Sequence, residues 1–349
     1  MYDGLNISAF LIGFSTAFFI VCSFYILVVH RSNTRFQMVL GWIMAVWAVW
    51  NLKDIVITFP GMYTEKVLDW IMFIDGFSAL TYTVFVFEVT MPGWTSLRRL
   101  AILSLPFALF PVAYAVIPSR DAVIYSYAAF LWCYAWSVVI MGYLKVRRYL
   151  SYIERNYSNH ENIDVSWLRP VFIFAIISQL TWLFTSLYAS VFIDILYYIS
   201  TLCLWTMVLH YSWHFQPVSI PNEAAPALAN SASVNPLAIS KEEFINIVVE
   251  RELYLNKNLT LADLSHALKT NRTYMGKYLS GVCQMSFYDF INQLRIERRS
   301  IPLMREHPEY TLEYVADESG FSSISTFRRA FTKVTGRTPS QYQAVKAGE

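Results

Sequence analysis

Through the first 213 positions apolar residues do not alternate with polar ones; they run on in long blocks. Seven blocks, roughly 7 to 29, 36 to 58, 68 to 91, 100 to 117, 122 to 144, 169 to 189 and 193 to 213, reach the length of a membrane-crossing helix, which needs about 20 apolar residues. The pattern then breaks. From Gln216 to Ile239 four prolines (Pro217, Pro221, Pro226, Pro236) are separated by Ala, Ser and Asn, and neither the helical nor the strand period survives. That stretch reads as a flexible linker spanning about 25 to 30 Å root-mean-square if it behaves as a random coil. Beyond it the helical period returns: Ser240 to Glu243 forms a capping box ahead of Phe244, Ile247, Val248 and Leu255 on one face. The pattern therefore predicts an all-α chain: a seven-helix transmembrane bundle over 1–215, a linker over 216–239 and a soluble all-helical domain over 240–349.

Composition separates the same two regions. The last 110 residues hold 28 charged side chains, whereas the first 239 hold 24, and all eleven Trp fall between Trp42 and Trp213. Lipid is the expected solvent of the first region and water that of the second. The formal net charge of +2 averages over both and says little about partners. The apolar start lacks a basic leader and a small-residue cleavage site, so it reads as a retained span. Cys22, Cys133, Cys203 and Cys283 lie far apart without a CxxC or Cys/His spacing, which argues against a disulfide framework or a zinc site. His210 and His214 have ligand spacing on a helix but no evident third ligand, and no metal or cofactor is expected. No nucleophile motif, phosphate loop or supported carboxylate pair is present, and the chain does not read as an enzyme.

Orientation follows from the connections between spans. Arg31, Arg35, Arg98, Arg99, Lys145, Arg147, Arg148, Arg155 and Arg169 fall on one side, and Lys66 and Arg120 on the other. Basic residues are retained in the cytoplasm. The expected location is an inner membrane, with the N-terminus outside and the last 110 residues in the cytoplasm. Ionisable groups inside spans are functional candidates by default. Asn51, Asp54, Asp75, Ser78 and Tyr82 could line a small-ligand pocket opening outward, since Asp75, Ser78 and Tyr82 share a helical face. The competing reading makes Lys53, Asp54 and Asp69 interfacial residues that pair or snorkel, and Asp75 a hydrogen-bonded packing residue. Glu88 reads as interfacial.

In the charged region one layout occurs twice. Leu261, Leu264, Ala267 and Leu268, a turn at Lys269 to Asn271, then Met275, Tyr278 and Leu279 describe two short helices and a tight turn. About fifty residues later come Leu312, Val315 and Ala316, a turn at Ser319 to Phe321, then Phe327 and Phe331. The two repeats occupy about 259–280 and 310–333. The second ends in Gly320-Phe321, Phe327-x-Arg329-x-Phe331 and Gly336-x-Thr338-Pro339-x-x-Tyr342. With this ending the duplicated unit, about 240 to 344, resembles the DNA-binding domain of AraC/XylS-type transcription regulators. The resemblance implies that the second helix of each repeat enters the major groove of promoter DNA. Arg272, Thr273, Tyr274 and Lys277 in the first repeat, and Ser322, Ser323, Ile324, Ser325 and Arg329 in the second, face away from the apolar positions and could reach DNA; Arg328 is a further phosphate candidate. Phe321, Phe327, Phe331 and Tyr342 read as core.

The sequence departs from the family pattern in three places. Gly276 stands where a long polar reader is common, Gln284 replaces a glycine, and Pro302 should bend or stop the connecting helix near Ile301. The expected partners are double-stranded DNA, the lipid bilayer, a small-molecule or membrane-protein signal and a second copy of the chain. The competing reading is a membrane transporter or enzyme with a C-terminal regulatory or docking domain.

Overall fold

The computed structural model describes residues 2–30, 34–55, 64–187, 191–220 and 239–347. Helices are the regular elements among these residues, and the only strand-like feature among them is one isolated bridge. They separate into two units: residues 1–148 with 165–220, and residues 149–164 with 221–349.

The first unit follows the apolar blocks. Its helices are α1 (Tyr2–Phe24), α2 (Arg35–Lys53), α3 (Glu65–Gly76), α4 (Ser78–Thr90), α5 (Leu97–Val116), α6 (Arg120–Asn156, of which the turns from Tyr149 onward belong to the second unit), α7 (Leu168–Leu187) and α8 (Val191–Ser212). α1 runs on through a wider π-turn, Tyr25–Val29, and α3 and α4 are one interrupted rod joined at Phe77. Among the described residues five stretches are long and apolar enough to cross a membrane: Ala9–Val29, Lys66–Thr90, Leu97–Val116, Arg120–Asn156 and Ile195–Ser212. The other two of the seven expected blocks run into residues outside the described ones. α7 supplies a shorter apolar run, Leu168–Trp182. α2 carries Gln37, Asn51 and three Trp, which lower its hydropathy without removing its apolar contacts. α2 packs along α1, α7 along α8, and α1 against α8. Aromatic rings fill the middle: Trp47 lies against Phe19 (5.6 Å between ring centres) and Trp205 (5.7 Å).

The outer surface shows which solvent this unit is built for. Phe10, Trp42, Val49, Leu97, Leu109, Val116 and Phe192 are all more than 60% exposed. Of the large apolar side chains that are exposed among the described residues, only Tyr274, Val282 and Tyr314 lie beyond residue 220. A surface so apolar is incompatible with water and natural in hydrocarbon.

The second unit opens with α9 (Lys241–Glu250), whose start is capped by the Ser240 hydroxyl accepting from the Glu243 amide at 3.1 Å. The first repeat is α10 (Leu261–Ala267) and α11 (Arg272–Tyr278), the latter extended by a π-turn at Leu279–Cys283. Next come α12 (Phe287–Leu294) and α13 (Ile301–Glu306), then the second repeat, α14 (Leu312–Glu318) and α15 (Ile324–Thr335), and finally α16 (Pro339–Ala347). Each repeat has its own core. Phe244, Leu264, Met275 and Ile291 are fully buried in the first, and Val315, Phe327 and Phe331 in the second. Phe321 is buried and Tyr342 packs on the second core, as expected of core residues.

The helix joining the repeats does not stop at Pro302. Between α12 and α13 the chain keeps helical dihedrals through a π-turn, Arg295–Ser300, in which the Ile301 amide bonds the Ile296 carbonyl. Pro302 then takes the first turn of α13, where a missing amide hydrogen costs least.

Candidate nucleic-acid interface

Both repeats close their turn in the same way. In the first, the Thr270 amide reaches back to the Ser265 carbonyl at 2.9 Å; in the second, the Phe321 amide reaches the Ala316 carbonyl at 3.0 Å. This six-to-one bond requires a left-handed residue at the helix end. Lys269 supplies it at φ 53° and Gly320 at φ 82°. The glycine is not interchangeable there, because a Cβ on Gly320 would lie 2.6 Å from the Leu255 carbonyl oxygen.

The helices that follow are positioned by their caps and apolar faces. Asn271 caps α11, its Oδ1 accepting from the Tyr274 amide at 2.9 Å, and Met275 and Tyr278 turn inward. Arg272, Thr273, Tyr274 and Lys277 are exposed together on the opposite face. Ser323 caps α15, and Phe327, Ala330 and Phe331 turn inward. Ser322, Ser325, Arg328 and Arg329 are exposed. Two of the sequence candidates are partly engaged. Ser323 uses its hydroxyl on Thr326, and Ile324 is half-buried against the second core. Gly276 leaves open space on α11, with no atom closer than 4.0 Å to the position a Cβ would take.

The two repeats are tied to one another. Lys257 pairs with Asp317, Lys333 with Asp289 at 2.7 Å, and Arg299 with Glu318 at 3.1 Å. These pairs are exposed, so each contributes little on its own. The buried tie is Arg295, 1% exposed, whose guanidinium lies 5.4 Å from the Phe321 ring and donates to the carbonyls of Tyr254 (2.7 Å) and Asn256 (2.7 Å) and to Asn292 Oδ1 (3.1 Å). Burial holds its pKa down at about 10, still well above neutrality. Its two remaining acceptors are the carbonyl and hydroxyl of Ser158, at 3.3 and 3.2 Å. No carboxylate is among the five, so the cation is solvated by neutral oxygens.

Residues 264–344 match the family model described as a helix-turn-helix domain. The C-terminal part of the chain is a helix-turn-helix domain of the AraC type. A similar stretch occurs in an uncharacterized HTH-type transcriptional regulator of Staphylococcus aureus strain COL, 29% identical over 107 residues, covering 30% of this chain and 14% of that protein. Another occurs in the TCP pilus virulence regulatory protein of Vibrio cholerae serotype O1, 32% identical over 106 residues, covering 30% of this chain and 37% of that protein. The likeness thus spans the helix-turn-helix domain and a minor part of each relative. No solved structure matches the chain.

Inside the first unit the ionisable candidates pair with one another. Lys53 bonds Asp54 and reaches Asp75 Oδ1 at 2.7 Å, and the Tyr198 hydroxyl donates to Asp54 Oδ2 at 3.0 Å. Asn51 donates to the Trp47 carbonyl of its own helix at 2.8 Å. Asp75, Ser78 and Tyr82 do line one cavity, together with Trp47 and Tyr197, but its volume is about 10 Å³. That is room for about one water molecule. Glu88, read as interfacial, is fully buried: it accepts from Arg35 Nε (3.2 Å), the Gly93 amide (2.8 Å), and the amide and hydroxyl of Thr95 (2.9 and 2.6 Å). It fastens the turn after α4, and its single-letter setting in an apolar run gave no sign of that.

The sequence reading also missed the stretch after Arg148, which it counted only as a basic connection. A signal was present. α6 has 37 residues, about 55 Å at 1.5 Å per residue, against a hydrocarbon core of about 30 Å. Its buried Tyr149 and Ile153 carry the apolar stripe past the lipid-length segment.

Proposed function

We propose that the chain is a membrane-integral, sequence-specific transcription regulator, in which the membrane bundle detects a signal and the helix-turn-helix domain binds promoter DNA in the cytoplasm. The carrying observation is the division of surfaces. Among the described residues, large apolar side chains are exposed almost wholly before residue 220, while the charged region after it carries a pair of helix-turn-helix units with exposed Arg272, Lys277, Arg328 and Arg329. The excess of basic residues on one side of the spans supports the same orientation, with the N-terminus outside. Residues 221–238 of the expected linker, and Arg31 among the orienting residues, lie outside the described residues.

Arg272, Lys277, Arg328 and Arg329 neutralise phosphate or read guanine, and Thr273, Tyr274, Ser322 and Ser325 add contacts of lower discrimination. The net excess of positive charge in the domain is two, so affinity rests on where the charge sits. A signal acts only through its different affinity for two arrangements of the bundle, and a small molecule or a membrane protein fits that role. Dimerisation or proximity of the DNA-binding domains is the proposed output.

The test uses the full chain in lipid nanodiscs and a random-sequence duplex pool. Selection should yield a preferred sequence. Arg329→Ala and Lys277→Ala should each weaken binding and lower the slope of log affinity against log salt by about one. If selection yields no preference and neither substitution changes binding, the reading fails.

A further inference from the structure

Residues 149–164 lie more than fifty positions ahead of the linker, yet they fold with the helix-turn-helix domain. Three contacts hold them there. Tyr157 forms an antiparallel bridge with Thr260, just before α10. The amide and hydroxyl of Ser158 both donate to the Leu259 carbonyl, at 3.2 and 2.8 Å. The His160 ring stacks on Tyr288 of α12 with 4.1 Å between centres. Ser158, itself buried, also completes the five acceptors around the Arg295 guanidinium. The segment is thus a working part of the domain core.

Its position relative to the reader helices carries the inference. A cleft of about 730 Å³ is lined by Glu154, Glu161 and Asp164 of the segment and by Ser325, Arg329 and Lys333 of α15. The segment therefore shares a cleft with the second reader and brings three carboxylates into it beside Arg329 and Lys333. DNA phosphates would meet those carboxylates as like charge, and helix-turn-helix readers need their N-terminal halves free to enter the major groove.

We propose that residues 149–164 form an autoinhibitory strap that sets carboxylates beside the DNA-reading face of α15 and must be withdrawn before that helix can engage DNA. The proposal rests on the DNA-binding reading above. Because Tyr149 to Asn156 are the last turns of α6, a candidate span, a rotation or shift of that helix acts on the strap directly. The strap then supplies a signal route that the linker does not.

The test again uses the full chain in nanodiscs with the selected duplex. Glu154→Gln/Glu161→Gln is compared with a control of equal charge change away from the cleft, Glu242→Gln/Glu306→Gln. The strap variant should bind about tenfold more tightly than the control at low salt, with the ratio shrinking as added salt screens the charges. Hydrogen exchange at the Ser158 amide should accelerate when DNA is added. If the two double variants bind alike, or DNA leaves Ser158 equally protected, the strap inference is overturned. Arg329→Ala separates the two levels. Weakened binding in both backgrounds keeps the DNA reading whatever the strap does, and no effect in either removes both.

Discussion

At the scale of single residues, four positions in the helix-turn-helix domain adopt the left-handed conformation in two matching pairs with different side chains. Lys269 and Gly320 end the first helix of each repeat, and Gln284 occupies the position that Gly336, at φ 73°, takes after α15. The sequence departs from the family pattern at Gln284, but the backbone does not. A non-glycine residue there pays about 1–2 kcal/mol. Gln284→Gly should therefore stabilise the domain by about 1 kcal/mol, read as a higher melting temperature of the full chain. Gly320→Ala should act in the opposite sense and more strongly, because the same backbone term is joined by a contact of 2.6 Å with the fixed Leu255 carbonyl. A loss of more than about 2 kcal/mol is expected, with protection from hydrogen exchange lost first in α14 and α15. An unchanged melting profile would mean that the turn tolerates a side chain that this geometry excludes.

At the scale of elements, the connection between the repeats and the strap are both built around Arg295. Pro302 cannot donate within the helix, and the π-turn just before it lets the chain continue to Glu306 without a break. That continuity sets Arg295 facing the second repeat, where it touches the Phe321 ring while its five donors are shared among four residues. Ser158→Ala removes one acceptor from a buried cation and should cost about 1–3 kcal/mol. The expected readout is faster hydrogen exchange across residues 254–260 and at Ser158. Ser158→Thr keeps the hydroxyl and should restore protection. Equal exchange in all three proteins would show that the guanidinium finds its oxygens elsewhere.

For the molecule as a whole, two solvents meet in one chain. The first unit buries or pairs charges inside its helical blocks, such as Glu88 and the Lys53, Asp54 and Asp75 group, and exposes Phe, Leu, Val and Trp, whereas the second exposes mainly polar and charged side chains. In cells, and in a chain stripped of its native cysteines, Arg120→Cys should react with a membrane-impermeant maleimide added from outside. Arg98→Cys should react only after the membrane is permeabilised. The opposite labelling would invert the orientation and place the helix-turn-helix domain away from DNA.

Local regularities were legible in the linear chain: the apolar blocks, the capping box at Ser240, the two turns, and the inward set Phe321, Phe327 and Phe331. Each depends on residues a few positions apart, whose spacing fixes a helical face or a turn before any distant contact forms. The second-repeat signature also identified the domain, because many positions had to agree at once. What spacing could not reveal were pairings across the chain. Ser158 and Arg295 are 137 residues apart, and nothing in either neighbourhood marks the other. Likewise Asp75, Ser78 and Tyr82 share a face on paper, yet only packing against Trp47 and Tyr197 reduces the space between them to about 10 Å³. Hydrophobic order along the chain thus determined which solvent each half meets and where its helices run. Tertiary structure alone decided that a connection counted as a basic loop becomes part of the DNA-reading domain, because a buried guanidinium must find oxygen acceptors wherever the fold brings them.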